Sequence, residues 1–333
     1  MAQQELEFDD NLLEADGDFP DNITDVDSAL GDGMSIYSST ASLRSSLANH
    51  RDENGRKYHA FKDGKYLLPT DDEELERQEF QYALCVFTFG TLSLAPLTRA
   101  DRVLDVGCGQ GHWVIDFAAA DSHPQSHVIG VDLAPVQRYS LPNVSFEIDD
   151  LEEPWTFSYK FDYIHSMMMT GAFRDWEKFY KQAYEFLNPD GWLEIQDIDF
   201  PLRCVDGSLP ADSALQKWSD IMMEASAKSG FFLNTCGQAA ELMREAGFVD
   251  IVRVPYKWPI GRWAKSEKMK IVGGGVRDNF LGGAETMSLA LFTRFLDWSL
   301  DEVKKFSEQV RYDMCVSSYH TYFDLYVTYG RKP

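Results

Sequence analysis

Apolar residues recur at two different periods along this chain. From about residue 100, short apolar and β-branched runs alternate with stretches whose apolar residues recur every three or four positions. That is the pattern of strands alternating with helices, and it predicts an α/β fold. Strands are expected at 102–107, 127–132, 144–148, 161–166, 191–197 and near 249–255, with a last one over 322–329. Trp113 to Ala120 reads as the first helix between strands. Asp175 to Leu187 reads as another, with Trp176, Phe179, Tyr180, Ala183 and Leu187 on one face. Its stop is Asn188-Pro-Asp-Gly191. Thr70-Asp-Asp-Glu73 has the spacing of a capping box and opens a helix through about Phe89, with Gly90 as its end. Thr235-Cys-Gly-Gln238 repeats that spacing for a helix ending at Gly247.

Three regions fall outside this alternation. Residues 1–50 are rich in Asp, Ser and Gly and lack apolar periodicity. They predict a disordered acidic tail, or one ordered only by docking. Order is expected to begin near Glu53, and 51–100 is expected to form a helical extension. Residues 201–233 and about 258–318 exceed what a minimal sheet with helices needs. Both insertions should lie near the carboxyl ends of the strands, where open α/β sheets bind ligands. They read as a cap over a small-molecule pocket, or else as extra core or a homodimer surface.

Composition narrows the class. The chain has 333 residues, 44% hydrophobic, and no apolar run reaches the roughly 18 residues of a membrane span. Met-Ala-Gln-Gln-Glu-Leu-Glu is no secretory signal. Five scattered cysteines without a Cys-x-x-Cys pair predict reduced thiols, a cytoplasmic protein and no structural metal. Net charge is −23; residues 1–55, with 13 acids and 2 bases, carry −11 and leave −12 for the rest. Neither part offers the basic stripe that nucleic acids need, so DNA and RNA are poor substrate candidates.

The candidate chemistry sits at Val103-Leu-Asp-Val-Gly-Cys-Gly-Gln-Gly111 and at Asp132, which closes Val128-Ile-Gly-Val-Asp132. A strand ending in a glycine turn, followed by a helix and a second strand with a terminal acid, suits a nucleoside, the acid taking the ribose hydroxyls. Gly107, Gly109 and Gly111 follow Gly-x-Gly-x-Gly rather than the dinucleotide spacing. Asp105 would repel a pyrophosphate but suits an ammonium. S-adenosylmethionine carries an ammonium, a sulfonium and a ribose, and no phosphate.

With these motifs the chain resembles the class I S-adenosylmethionine-dependent methyltransferases, and more closely the fungal LaeA-like, or TAM-domain (trans-aconitate methyltransferase-like), group. The resemblance rests on Glu53 to Pro69, Val103 to Trp113, and Phe146-Glu-Ile-Asp-Asp-Leu-Glu-Glu-Pro-Trp-Thr-Phe157 running on to Gly191-Trp-Leu-Glu-Ile-Gln-Asp197. It implies a Rossmann-like, seven-stranded, mostly parallel sheet with an antiparallel last strand. It implies that Gly107 to Gly111 faces the methionine part, Asp132 with Leu133 the ribose, and Asp149, Asp150 and Leu151 the adenine. His165 and Ser166 should line the reactive end, and Tyr58, His59 and Tyr66 should fold over the cofactor. S-adenosylhomocysteine would be the product. Met167-Met-Met-Thr170, where a polar residue is common in the group, leaves the acceptor open.

Methyl transfer from a sulfonium needs placement and exclusion of water more than activation. His165 is the first candidate for base or orienter, against a histidine merely satisfied by the backbone. Asp197 and Asp199 are alternative bases, or helix caps. Met167 and Met168 suit an apolar acceptor. Arg174 and Arg203 could clamp a carboxylate, and Trp263, Tyr319 and His320 lie in the expected cap. The readings are a small-molecule O-methyltransferase of fungal secondary metabolism, a regulatory methyltransferase within a protein complex, or a non-methylating cofactor-binding protein such as a pericyclase. The regulatory reading would favour nuclear entry, yet no run of five mixed Lys and Arg is present.

Overall fold

The computed structural model describes residues 4–5, 7–16, 50–138 and 141–333, so most of the acidic tail, 1–3, 6 and 17–49, lies outside the described residues. The described part of that tail is docked. Gln4–Glu5 (β1) pairs in parallel with the strand Val249–Pro259. Leu13 is buried with Trp263, Ala264 and Met269, and Phe8 and Leu12 pack against them. The Lys265 N–H donates to the Glu14 carbonyl at 2.6 Å. Three apolar side chains, a strand pairing and this bond thus dock a stretch whose composition points to disorder. Residues 51–100 are not purely helical either: His50–Glu53 (β2) and Arg56–His59 (β3) form an antiparallel hairpin before the helix Asp72–Phe89 (α1).

The sheet follows the alternation in the sequence. Arg102–Val106 (β4), His127–Asp132 (β5) and Phe161–Met167 (β7) are buried almost throughout, which is why they read as continuous apolar runs: helices cover both faces. Val144–Ile148 (β6) lies at the edge and is only half-buried. β4 pairs in parallel with β5 on one side and β7 on the other; β5 continues to β6 and β7 to Leu187–Cys204 (β8). Thr321–Arg331 (β10) runs antiparallel between β8 and Val249–Pro259 (β9). Seven strands thus form the expected sheet, with β1 as a two-residue eighth at the edge. The chain reverses its direction of growth across the sheet at β4, and such a switch point opens a crevice beyond the carboxyl ends of the strands.

Helices His112–Ala119 (α2), Trp176–Phe186 (α3) and Ala239–Ala246 (α5) cover the sheet, with Trp176, Phe179, Tyr180 and Ala183 of α3 all in the core as the periodicity predicts. Both expected capping boxes are corrected. Asp71, not Thr70, caps α1: its carboxylate accepts the Glu74 N–H and a bidentate pair from Arg56 at 2.6 and 2.7 Å. Thr235 makes no side-chain cap; instead Asp199 accepts the Gly237 N–H at 3.1 Å, so Asp199 serves as a cap.

The insertions form Ala214–Ser229 (α4), Glu267–Phe295 (α6) and Leu300–Met314 (α7). They pack with α1 and the β8–β10 side into one core containing Trp218, Phe280, Phe292 and Phe323. This is the extra-core alternative. Among the described residues, no helix is long and apolar enough to cross a membrane.

Candidate active site

The glycine turn joins β4 to α2 at the switch point. Gly107, Gly109 and Gly111 have φ of +70°, +51° and +86°, a region that strains any other residue. Only one of the three leaves room for a ligand. A Cβ on Gly107 would lie 2.0 Å from the Met169 sulfur, and one on Gly111 would lie 2.5 Å from the Phe146 ring. Gly109 meets nothing closer than 3.9 Å. Its N–H donates to Asp132 Oδ2 at 2.8 Å, and the Ala134 N–H donates to Oδ1 at 2.9 Å. These bonds, with a further one from the Leu133 backbone, fix the carboxylate at the tip of β5. Burial pushes the Asp132 carboxyl above its ordinary range, while the backbone N–H groups draw it down.

The cleft beyond this turn is walled by four elements. Asp149, Asp150, Leu151 and Glu152 follow β6 on one side; Lys65 bridges Asp150 at 3.1 Å and Glu152 at 3.0 Å. Tyr66 and Leu68, between β3 and α1, form a second wall. The third is the α1 face of Leu75, Gln78 and Tyr82, and the Gln78 amide donates to the Tyr66 hydroxyl at 3.4 Å. The fourth is Met167, Met168 and Met169, where Met168 turns the chain at φ +54°. Asp105, His112 and Trp113 also reach the cleft. Among its charged side chains, acids outnumber cations. Its two long cations are engaged, Lys65 as above and Arg77 in a pair with Glu74 at 2.7 Å and a hydrogen bond to Asn279 at 3.0 Å.

The structure therefore brings together Tyr66, Asp105, Gly107, Gly109, Asp132, Leu133, Asp149, Asp150, Leu151, Met167 and Met168. It places the other predicted residues elsewhere. Gly111 only starts α2 and seats Phe146. His165 and Ser166 are fully buried below the cleft. His165 bonds Asp105 at 2.7 Å through Nδ1 and stacks on Trp113 with ring centroids 3.8 Å apart, because a residue facing into a doubly covered strand cannot reach solvent. Asp197 is buried too, accepting the Ile198 N–H at 2.9 Å. Arg174 lies over the Phe231 ring, and Arg203 pairs with Asp324 at 2.5 Å. Trp263 is core and donates to the Thr321 carbonyl. Tyr319 lines a separate shallow depression with Pro210 and Tyr312. None of the described lining comes from the two insertions; they brace α1 from behind.

Lys65, Gln78, Gln81, Tyr82, His112 and Trp113 escaped the sequence reading. A signal existed for α1: Leu75, Gln78 and Tyr82 recur at three- and four-residue spacing, but a mixed polar face reads as solvated.

A methyltransferase-domain family model matches residues 76–252, just over half of the chain. The methyltransferase pytC of Aspergillus terreus is 33% identical over 327 residues, covering 97% of this chain and 97% of that protein. The secondary metabolism regulator LAE1 of Cochliobolus heterostrophus is 33% identical over 291 residues, covering 84% and 94%. The regulator laeA of Aspergillus flavus is 33% identical over 290 residues, covering 85% and 77%.

Proposed function

The chain belongs to the methyltransferase-domain family, and we propose that it methylates a hydroxyl oxygen of a small molecule in fungal secondary metabolism, with S-adenosylmethionine as donor. The observation that carries the donor assignment is the turn at the switch point: Gly109, open to the cleft, latched to the Asp132 carboxylate that the backbone holds at the tip of β5, where it can accept from a ribose. Asp105 offers a carboxylate for an ammonium, and the Asp149–Leu151 segment offers a wall for a base. The donor supplies a methyl group on a sulfonium, already activated for in-line displacement. What remains for the protein is to hold donor and acceptor close, to keep water out, and to take up the hydroxyl proton as the methyl–sulfur bond breaks and the oxygen–methyl bond forms, for which His112 and the lining carboxylates are at hand. The Met167–Met169 turn and Tyr82 give that end of the cleft an apolar and aromatic surface.

Charge favours a hydroxyl over a carboxylate acceptor. A carboxylate must be held by a cation or by donors, whereas the lining is acidic and both Lys65 and Arg77 already serve other carboxylates. The kinship to proteins named secondary metabolism regulators motivates a second reading, transfer to a protein partner.

Two measurements test these readings. Asp132→Ala should weaken S-adenosylmethionine binding ten- to a hundredfold by calorimetry, about 1.5–3 kcal/mol for charge-assisted bonds; unchanged affinity in a folded variant rejects the donor site. Labelled donor offered with phenols, aromatic acids and host-cell protein should transfer label to a phenol. Label on an acid or on a protein would displace the hydroxyl assignment.

A further inference from the structure

Below the cleft lies a buried pair that methyl transfer itself does not require. His165 Nδ1 stands 2.7 Å from Asp105 Oδ1, and the two side chains are 0% and 4% exposed. The imidazole lies flat on the Trp113 indole, at an interplanar angle of 6°. Its Nε2 is buried without a hydrogen-bond partner. Nδ1 faces the Asp105 carboxylate and Nε2 faces no acceptor, so the arrangement that satisfies both groups places an Nδ1–H donated to Asp105. Asp105, unlike His165, lines the cleft.

We propose that His165 is a positioning residue: through its Nδ1–H it holds Asp105 ionised and aimed so that the carboxylate receives the ammonium group of the methyl donor. The inference rests on the donor reading above and assigns the histidine to donor recognition rather than to proton removal from the acceptor. Three features support it. The rigid β7 frame and the Trp113 face fix the ring, so the donated bond has one direction. Burial pushes the Asp105 carboxyl upward, and the hydrogen bond from His165 is the largest influence drawing it back; without that donor a buried carboxyl favours its neutral form, which attracts no cation. Third, the other titratable groups electrostatically coupled to Asp105 lend it no positive charge: Asp132 from β5, Cys108 from the turn, Tyr82 from α1 and Tyr163 from β7 all ionise only to anions.

The test compares S-adenosylhomocysteine with its deaminated analogue, which keeps the carboxylate and lacks the ammonium. His165→Phe keeps a ring against Trp113 and removes the donor. His165→Asn restores an N–H near the Nδ1 position. By calorimetry, His165→Phe should weaken S-adenosylhomocysteine roughly ten- to a hundredfold, the range for a lost bond to a charged group, and leave the analogue within about twofold. His165→Asn should recover much of the loss. The preference for the amine should also decay at higher pH in His165→Phe than in the wild type, because Asp105 then takes up its proton sooner as pH falls. In the wild-type protein, the Nδ1-bound proton resonance of His165 should shift on adding S-adenosylhomocysteine and stay put with the analogue. Equal losses for both ligands, or a resonance indifferent to the amine, would overturn the role of His165 while leaving the donor site standing. Failure of the wild-type protein to bind S-adenosylhomocysteine would instead overturn the donor reading, and this inference with it.

Discussion

Asp197 is a carboxyl that the fold keeps from water. Burial raises it to about 7, against the hydrogen bonds from Thr170 and from the Ile198 and Met169 backbone. An unfolded aspartate titrates near 4. Between those values the folded chain keeps a proton that the unfolded chain has released. Stability is therefore untouched below about pH 4 and declines as pH rises to about 7, by roughly 4 kcal/mol in all. Asp197→Asn, which can still accept from Ile198, should remove that decline. Thermal melts of both proteins from pH 5 to 8.5 should show the wild type losing stability towards alkaline pH relative to the variant; parallel curves would mean that Asp197 does not titrate there. At this scale the sequence marks the ligand-facing groups better than the buried ones. Gly109, Asp132 and Asp105 announce themselves by spacing. His165 and Asp197 look like strand-tip catalysts for two reasons: the strand pattern does not say whether His165, near the end of β7, faces the cleft or the core, and it ends β8 at Asp197 although the strand runs on to Cys204.

Helix α6 holds five glycines, Gly273, Gly274, Gly275, Gly282 and Gly283, yet runs unbroken from Glu267 to Phe295. Each glycine costs a helix about 1 kcal/mol relative to alanine, so propensity alone argues against a helix here. Packing overrides propensity. A Cβ on Gly273 would lie 2.0 Å from the Gly261 carbonyl oxygen, and the Gly261 N–H donates back to the Gly273 carbonyl at 2.9 Å. At Gly282 a Cβ meets nothing within 4 Å. The two positions should respond in opposite directions. Gly273→Ala must push backbone from backbone and should cost about 1–3 kcal/mol, as overpacking does. Gly282→Ala should gain up to about 1 kcal/mol. Chemical denaturation of the pair measures both; a destabilised Gly282→Ala would mean that this face of α6 is covered. Because α6 braces α1 through Arg77 and Asn279, and α1 walls the cleft, Gly273→Ala should also loosen donor binding.

Across the whole molecule, the docked start of the chain and the cleft lie at separate ends of the sheet. The alternation of apolar periods made the seven main strands legible, together with the glycine turn, because each is a local pattern repeated in order. The docked start of the chain was not legible, since a segment whose composition is polar and acidic is anchored by contacts made some 250 residues away. Leu13 sits against Trp263, Ala264 and Met269. Glu14 and Asp16 reach Lys265 and Lys270 at 3.1 and 2.7 Å, and β1 extends the sheet beyond β9. None of the described residues 4–5 and 7–16 lines the cleft, whose strands β4, β5 and β7 stand on the far side of β8 and β10. Removing residues 1–16 should therefore separate the two properties. Losing a buried leucine alone costs about 2–5 kcal/mol, whereas the exposed Lys265–Glu14 pair adds little. The melting temperature should fall by several degrees, and Leu13→Ala should reproduce most of the fall. Affinity for S-adenosylmethionine, measured by calorimetry well below the melting transition, should stay within about twofold of the full chain. A truncated protein that melts normally would show that the contacts around Leu13 contribute nothing to the folded state. One that melts low and also binds the donor poorly would show that the β9 edge and the cleft at β4 are mechanically coupled through the sheet.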